Sequence, residues 1–154
     1  MEDSTLKKTT SIFCSLVMVC LLLATGSTAS AQSGDTLYKR LGGYDAIAAV
    51  TDDFIGRLAT DKQVGRFFTG ASESTQKHIR QLVVDFLCNA TGGPCLYLGR
   101  DMKTVHTGLK ITEKDWDVSV KHLTATLDKF KVPAKEKGEV LGAISGLKKD
   151  IVGQ

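Results

Sequence analysis

The 154-residue chain is short of several things at once: it has two prolines, one tryptophan and no stretch of single-sign charge. Each shortage excludes something. Its 20 Lys and Arg are interleaved with 17 Asp and Glu, as in "ITEKDWD" and "AKEKGEV", for a net charge of +3. Such mixing makes a solvated surface and leaves no electrostatic footprint for nucleic acid. Sustained alternation of apolar and polar residues is also missing, which removes the case for a sheet. The longest apolar run, "SIFCSLVMVCLLLA" from Ser11 to Ala24, falls short of the roughly 20 residues that cross a bilayer.

That run has a different reading. Lys7 and Lys8 precede it, small polar residues follow it, and "ASA" closes the segment at Ala29–Ala31. This is the layout of a secretory signal peptide over residues 1–31, with cleavage after Ala31. The alternative is a retained membrane anchor, since Glu2 and Asp3 offset the two lysines. Cys20 lacks the small residues that precede a lipid-modified cysteine. The expected mature protein is one domain, residues 32–154, exported to a periplasmic or extracellular space, with no stable membrane span. Its net charge remains +3, because two acids and two lysines leave together. Only Cys88 and Cys95 then remain, bracketing the turn-rich "NATGGP". An oxidising compartment permits a disulfide between them. The other reading packs Cys88 as a small apolar residue and leaves Cys95 exposed.

What the chain has in abundance is helical periodicity. Ile47, Val50, Phe54 and Leu58 recur at steps of three and four, with Ile55 beside them. Ile79, Leu82, Val83, Phe86, Leu87 and Ala90 form a second stripe. Trp116, Val120, Leu123, Leu127 and Phe130 form a third, opened by Thr112 and Asp115 at capping-box spacing. Val140, Ile144, Leu147 and Ile151 form a fourth, behind a Pro133 suited to a first helical position. Gly42–Gly43 closes a short opening segment, "TLYKRL", and Gly92–Gly93–Pro94 stops the second long helix. The fold class is all-α.

Between that stop and the third long helix lies "LGRDMKTVHTGLKIT", too short for a full helix and too apolar for a surface loop. Met102 and His106 are four residues apart and share a helix face, with Val105 adjoining. Four amphipathic helices could make a simple bundle in which His106 is incidental. A planar interior cofactor accounts better for a nitrogen ligand and apolar side chains offered together, as a haem requires.

These residues resemble the truncated haemoglobins, and specifically their first group, over nearly all of Leu37 to Val152. The resemblance is carried by "LYKRLGGYDAI", "DDFIGRL", "RFFTG", "FLCNATGGP", "YLGRDMKTVH" and "HLTATL…VP". It implies a globin-like, shortened two-over-two helical sandwich around haem b. It implies that His106 is the proximal iron ligand, that Met102 lies on the proximal haem face, that Phe68 wedges the haem and that Phe54 helps wall the distal side. Tyr97 and Arg100 flank the proximal segment near the haem edge.

One departure from the family stands out. The family usually places a tyrosine over the iron, on "DDFIGRL", and often adds glutamine or threonine from the second helix. Here those positions are Ile55, Ile79 and Val83, with a few extra residues near "GASEST". All three distal positions are therefore apolar. A hydrogen bond to a charged group is worth about 1.5–3 kcal/mol. Its loss speeds oxygen dissociation by roughly one to two decades, while carbon monoxide and nitric oxide depend on it less. His78 is expected on the solvent side or at the haem edge, the alternative being a swing inward as a sixth ligand. His122 is expected to be structural or exposed.

The expected function is reversible binding of diatomic gas, for transport or sensing, with a reductant whose nature the sequence leaves open. The competing reading is a haem enzyme. Nitric oxide dioxygenation needs a long-lived oxygen complex, and peroxide activation usually needs a distal acid–base group; the sequence offers neither. A helical interaction domain without cofactor would make "GRDMKTVH" an accident.

Overall fold

The structure is a computed structural model that describes residues 35–154, so the expected signal segment lies outside the described residues. Among the described residues seven α-helices follow one another: α1 (Leu37–Arg40), α2 (Gly43–Thr60), α3 (Glu73–Ala90), α4 (Met102–His106), α5 (Glu113–Lys129), α6 (Ala134–Ser145) and α7 (Lys148–Ile151). A 3₁₀ turn, Gly65–Phe68, lies between α2 and α3. The described residues contain no strand.

Four of the helix starts are fixed by a short polar side chain that accepts a backbone N–H. Thr36, Ser72, Asp101 and Thr112 cap α1, α3, α4 and α5, and Thr112 forms the expected capping box with Asp115. Helix α2 opens instead on Gly42 and Gly43, both with positive φ (98° and 79°), which turns the chain sharply out of α1. At the far end of α3 the Gly93 N–H donates to the Cys88 carbonyl at 2.8 Å. A Cβ on Gly93 would sit 2.5 Å from the Tyr38 ring and 2.7 Å from Cys88 Sγ, so no larger residue fits there.

Helix α2 is the hub, packing on α3 along one side and on α5 along another, while α6 lies on α5 and α1 bridges α2 and α6. These pairs make the two-over-two sandwich. One core cluster joins Ile47 and Ala48 of α2 to Val84 and Cys88 of α3. A second joins Leu123 and Leu127 of α5 to Val140 of α6, with Phe54 and Val50 of α2 packed against it.

Two expectations need correction. The last periodic segment is two helices, because the chain breaks at Gly146: the Leu147 N–H donates to the Ile144 carbonyl at 2.9 Å, a three-residue closure. Ser145–Gly146 is poor helix-forming sequence, and the break sends α7 against α4. Pro133 occupies the cap position one residue before the expected site. The cysteines are bridged, with Cα atoms 5.7 Å apart; Cys88 is fully buried, as the other reading had it, but Cys95 is half-buried rather than exposed.

Asp115 ties the 3₁₀ turn to α5. Buried at 1% exposure, it accepts from Thr112 N (2.9 Å) and Thr112 Oγ1 (2.7 Å), from Gln63 Nε2 (2.9 Å) and from Arg66 Nη2 (2.7 Å). The Arg66 guanidinium, foremost, holds its carboxyl well below the usual carboxylate range. Asp61, on the same side, is pulled down to about 2, chiefly by its hydrogen bond with His122. Replacing Asp115 by alanine removes a cap and orphans its donors, which should cost about 2 kcal/mol in denaturant unfolding. The sign with pH follows from the depressed values. The stabilisation is complete above the unfolded carboxylate pKa of about 4 and fades as pH falls toward the folded pKa. Wild type should therefore lose stability more steeply than Asp115→Ala below about pH 4; parallel acid profiles would refute this.

Candidate functional site

The second apolar stripe does not sit where a bundle would put it. The fully buried residues of α3 are Val84 and Cys88, whereas Ile79, Leu82, Val83 and Phe86 are half-buried, Leu87 packs against the first core cluster and Ala90 is exposed. Ile55 and Leu58 of α2, Phe67 and Phe68 of the 3₁₀ turn, and Met102 and Val105 of α4 are half-buried as well. A chain that spends this many large apolar side chains outside its two cores has a surface suited to an apolar, plate-like group.

Ile55, Phe68 and Ile79 meet at one cavity of about 220 Å³, together with Ala59, Gly65, Thr69 and Gln76. Val83 lies one turn beyond Ile79 on α3 and Phe54 belongs to the α5–α6 cluster; neither lines this cavity. Gln76 is the residue that the sequence reading missed. It stands three residues before Ile79, hence on the same helix face, and extending the stripe back one turn finds it. Its Nε2 donates to the Ala71 carbonyl at 2.9 Å.

His106 closes the five-residue helix α4 and is half-buried. Its Nδ1 lies 2.7 Å from the Met102 carbonyl oxygen. A carbonyl only accepts, so Nδ1 carries the proton, and in the neutral ring Nε2 is the nitrogen with the lone pair. Among the described residues Nε2 has no hydrogen-bond partner. That tautomer, oriented by a backbone carbonyl, is the one a metal-ligating imidazole needs. Nor do the described residues contain any group of three His, Cys, Asp or Glu that could hold a bare ion. A metal at His106 must therefore bring its other ligands with it, as a porphyrin iron does. The residues present fit a haem.

The remaining polar candidates lie elsewhere. His78 is exposed on α3. Gln81 is exposed too, donating to Tyr44 Oη at 3.0 Å and Asp85 Oδ1 at 2.9 Å. The His122 ring bonds Asp61 Oδ2 through Nε2 at 2.9 Å, a structural role. Tyr97 packs edge-on against Phe86, with ring centroids 5.3 Å apart, and its hydroxyl donates to the Arg100 carbonyl at 2.7 Å. The Arg100 residue itself is exposed.

Comparison with known proteins agrees with this architecture. Residues 36–152 match the sequence profile of the bacterial-like globins. A group 1 truncated hemoglobin of Mycolicibacterium paratuberculosis is 35% identical over 116 residues, covering 75% of this chain and 83% of the relative. Another, from a Nostoc species, is 33% identical over 113 residues, covering 73% of this chain and 93% of the relative. In three dimensions the chain is similar to the truncated hemoglobin of Tetrahymena pyriformis in its Fe(III) form. The TM-score is 0.71 at 29% identity, over 77% of this chain and 99% of the other. The 2/2 hemoglobin of a Synechococcus species, solved with covalently attached heme, gives a TM-score of 0.69 at 26% identity, over the same shares. With the shortened sandwich, the free imidazole nitrogen and these likenesses together, the chain belongs to the group 1 truncated haemoglobins, within the bacterial-like globins.

Proposed function

We propose that this protein is a gas-binding haem protein whose iron ligand is His106 Nε2 and whose distal pocket offers the gas an apolar surface. Membership of the truncated haemoglobins makes haem b the cofactor, and a haem supplies reversible coordination of diatomic gases. The observation that carries the assignment to His106 is the Nδ1 contact with the Met102 carbonyl, which leaves the outer nitrogen as the donor. Met102 and Phe68 supply apolar contact to the macrocycle. Ile55 and Ile79 line the cavity and give no hydrogen bond, with the apolar Val83 one turn further along α3, so the pocket discriminates less in favour of oxygen than one with a distal tyrosine.

Gas binding is favoured over enzymatic use of the haem. Thr69 and Gln76 are the polar side chains at the cavity, and neither is an acid–base group near neutral pH. A pyridine haemochrome assay and a visible spectrum of the purified protein test the reading. One haem b per chain is expected; a protein that takes up no haem overturns it.

The protein acts outside the cytoplasm in this reading, as the mature chain 32–154. The layout of residues 1–31 supports this, and so does the Cys88–Cys95 bridge, since disulfides persist in oxidising compartments. No helix among the described residues is long and apolar enough to cross a membrane. Mass spectrometry of the natural product should find Gln32 as the first residue. An intact Met1 on a cytoplasmic protein would end the proposal.

A further inference from the structure

We infer that the Cys88–Cys95 cystine is a positioning element for His106, so that thiol–disulfide exchange at this bridge sets how firmly the protein keeps its haem. The inference rests on His106 being the iron ligand.

Helix α4 is a little over one turn long, too short to be stable alone. Its helix–helix packing is chiefly against α7, itself only four residues. The position of His106 therefore depends on how the chain is tied on either side of α4. On the C-terminal side the ties are backbone bonds: Lys110 N–H to the Gln154 carbonyl at 3.0 Å, and Gly153 N–H to the Ile111 carbonyl at 2.9 Å.

On the N-terminal side the ties run back to α3 in an unbroken series. The cystine joins α3 to residue 95. Asn89 Nδ2 donates to the Cys95 carbonyl at 3.0 Å. Tyr97 lies on Phe86 and bonds the Arg100 carbonyl, and Asp101 then caps α4 through the Thr104 N–H. Apolar burial contributes little here, because Leu96 and Leu98 are 70% and 81% exposed. A covalent link supplies what packing does not. The same link joins the helix that carries Ile79 and Val83 to the segment that carries His106, so it sets the relation between the two walls of the site.

The chemistry requires a dithiol as co-reactant. Cys88 is fully buried and Cys95 is half-buried, so a dithiol's thiolate attacks the Cys95 sulfur and the S–S bond breaks. Cys88 leaves as a thiolate and takes a proton. The second thiol of the reagent then resolves the mixed disulfide. Two protein thiols and one oxidised reagent result, with electrons balanced.

The test compares the holoprotein with the double variant Cys88→Ala/Cys95→Ala, and each with and without dithiothreitol. Haem transfer to excess apomyoglobin should be faster in the double variant by about tenfold or more, the usual scale for loss of a group that orients a metal ligand. Dithiothreitol should reproduce this in wild type and do nothing further to the variant. Two readouts separate positioning from general loosening. The iron–histidine stretching band of the ferrous protein should shift or broaden, and amide exchange should quicken across residues 96–106 while α5 is unchanged. Equal haem loss with an unmoved band, or faster exchange spread evenly over the chain, would falsify the inference. A protein that binds no haem would defeat the His106 assignment instead. The exchange comparison would then still decide whether the bridge orders residues 96–106.

Discussion

Protein carrying His106→Ala, purified without added imidazole, should emerge without stable haem. The substitution removes the nitrogen donor and little else. Alanine is the best helix former, and the Met102 carbonyl loses only a contact it can replace with water. The caps of α4 and α5 are untouched, so the fold should survive, as circular dichroism would report. Among the described residues no other histidine can stand in, since His78 is exposed and His122 is committed to Asp61. Free imidazole fills the space of the missing ring and should restore haem binding and its spectrum. A variant that kept a full complement of ferrous haem without imidazole would show that another group holds the iron.

The second large effect is on gas release. With Ile55, Ile79 and Val83 apolar, wild type should lose oxygen quickly. Ile55→Tyr should slow oxygen dissociation by at least about one decade, because a donor to a polarised ligand is worth about 1.5–3 kcal/mol and about 1.4 kcal/mol is a factor of ten. Carbon monoxide dissociation should change much less, since that ligand carries little charge. The cavity beside Ile55, about 220 Å³, leaves room for the larger ring and limits crowding. Rapid-mixing measurement of both off-rates in the two proteins decides it. Slow oxygen release from wild type would mean that a donor already reaches the ligand. Gln76 is then the residue to replace, because it lines the cavity whereas Gln81 and His78 do not.

Much of this was legible in the sequence because helices announce themselves by period and by their ends. The Thr112–Asp115 box, the Gly42–Gly43 turn and the Gly92–Gly93–Pro94 stop are all local chemistry. The break at Gly146 was masked because Leu147 and Ile151 continue the apolar rhythm across it. The α3 stripe was legible as apolar, but not which way it faced. A side that meets a cofactor and a side that meets a core have the same composition. Only packing shows that Val84 and Cys88 are the core residues while Ile79 and Val83 stand apart. The cysteine pair stayed open for a related reason: a spacing of seven residues permits a bridge without fixing the Cα separation that a bridge requires. His106 was identifiable from its motif, but its tautomer became readable only with the Met102 carbonyl in place.

The half-buried face of α3 has a consequence for how much of this protein exists. Side chains such as Ile79 and Val83 are only half-buried by the protein itself, so a haem that covered them would act as a ligand of the native state alone. At a thousandfold excess over its dissociation constant such a ligand contributes about 4 kcal/mol, a large share of a small domain's total stability. Chains that miss their haem are correspondingly easier to unfold and to proteolyse. The abundance of the protein is then expected to follow haem supply, because quality control removes chains left without cofactor.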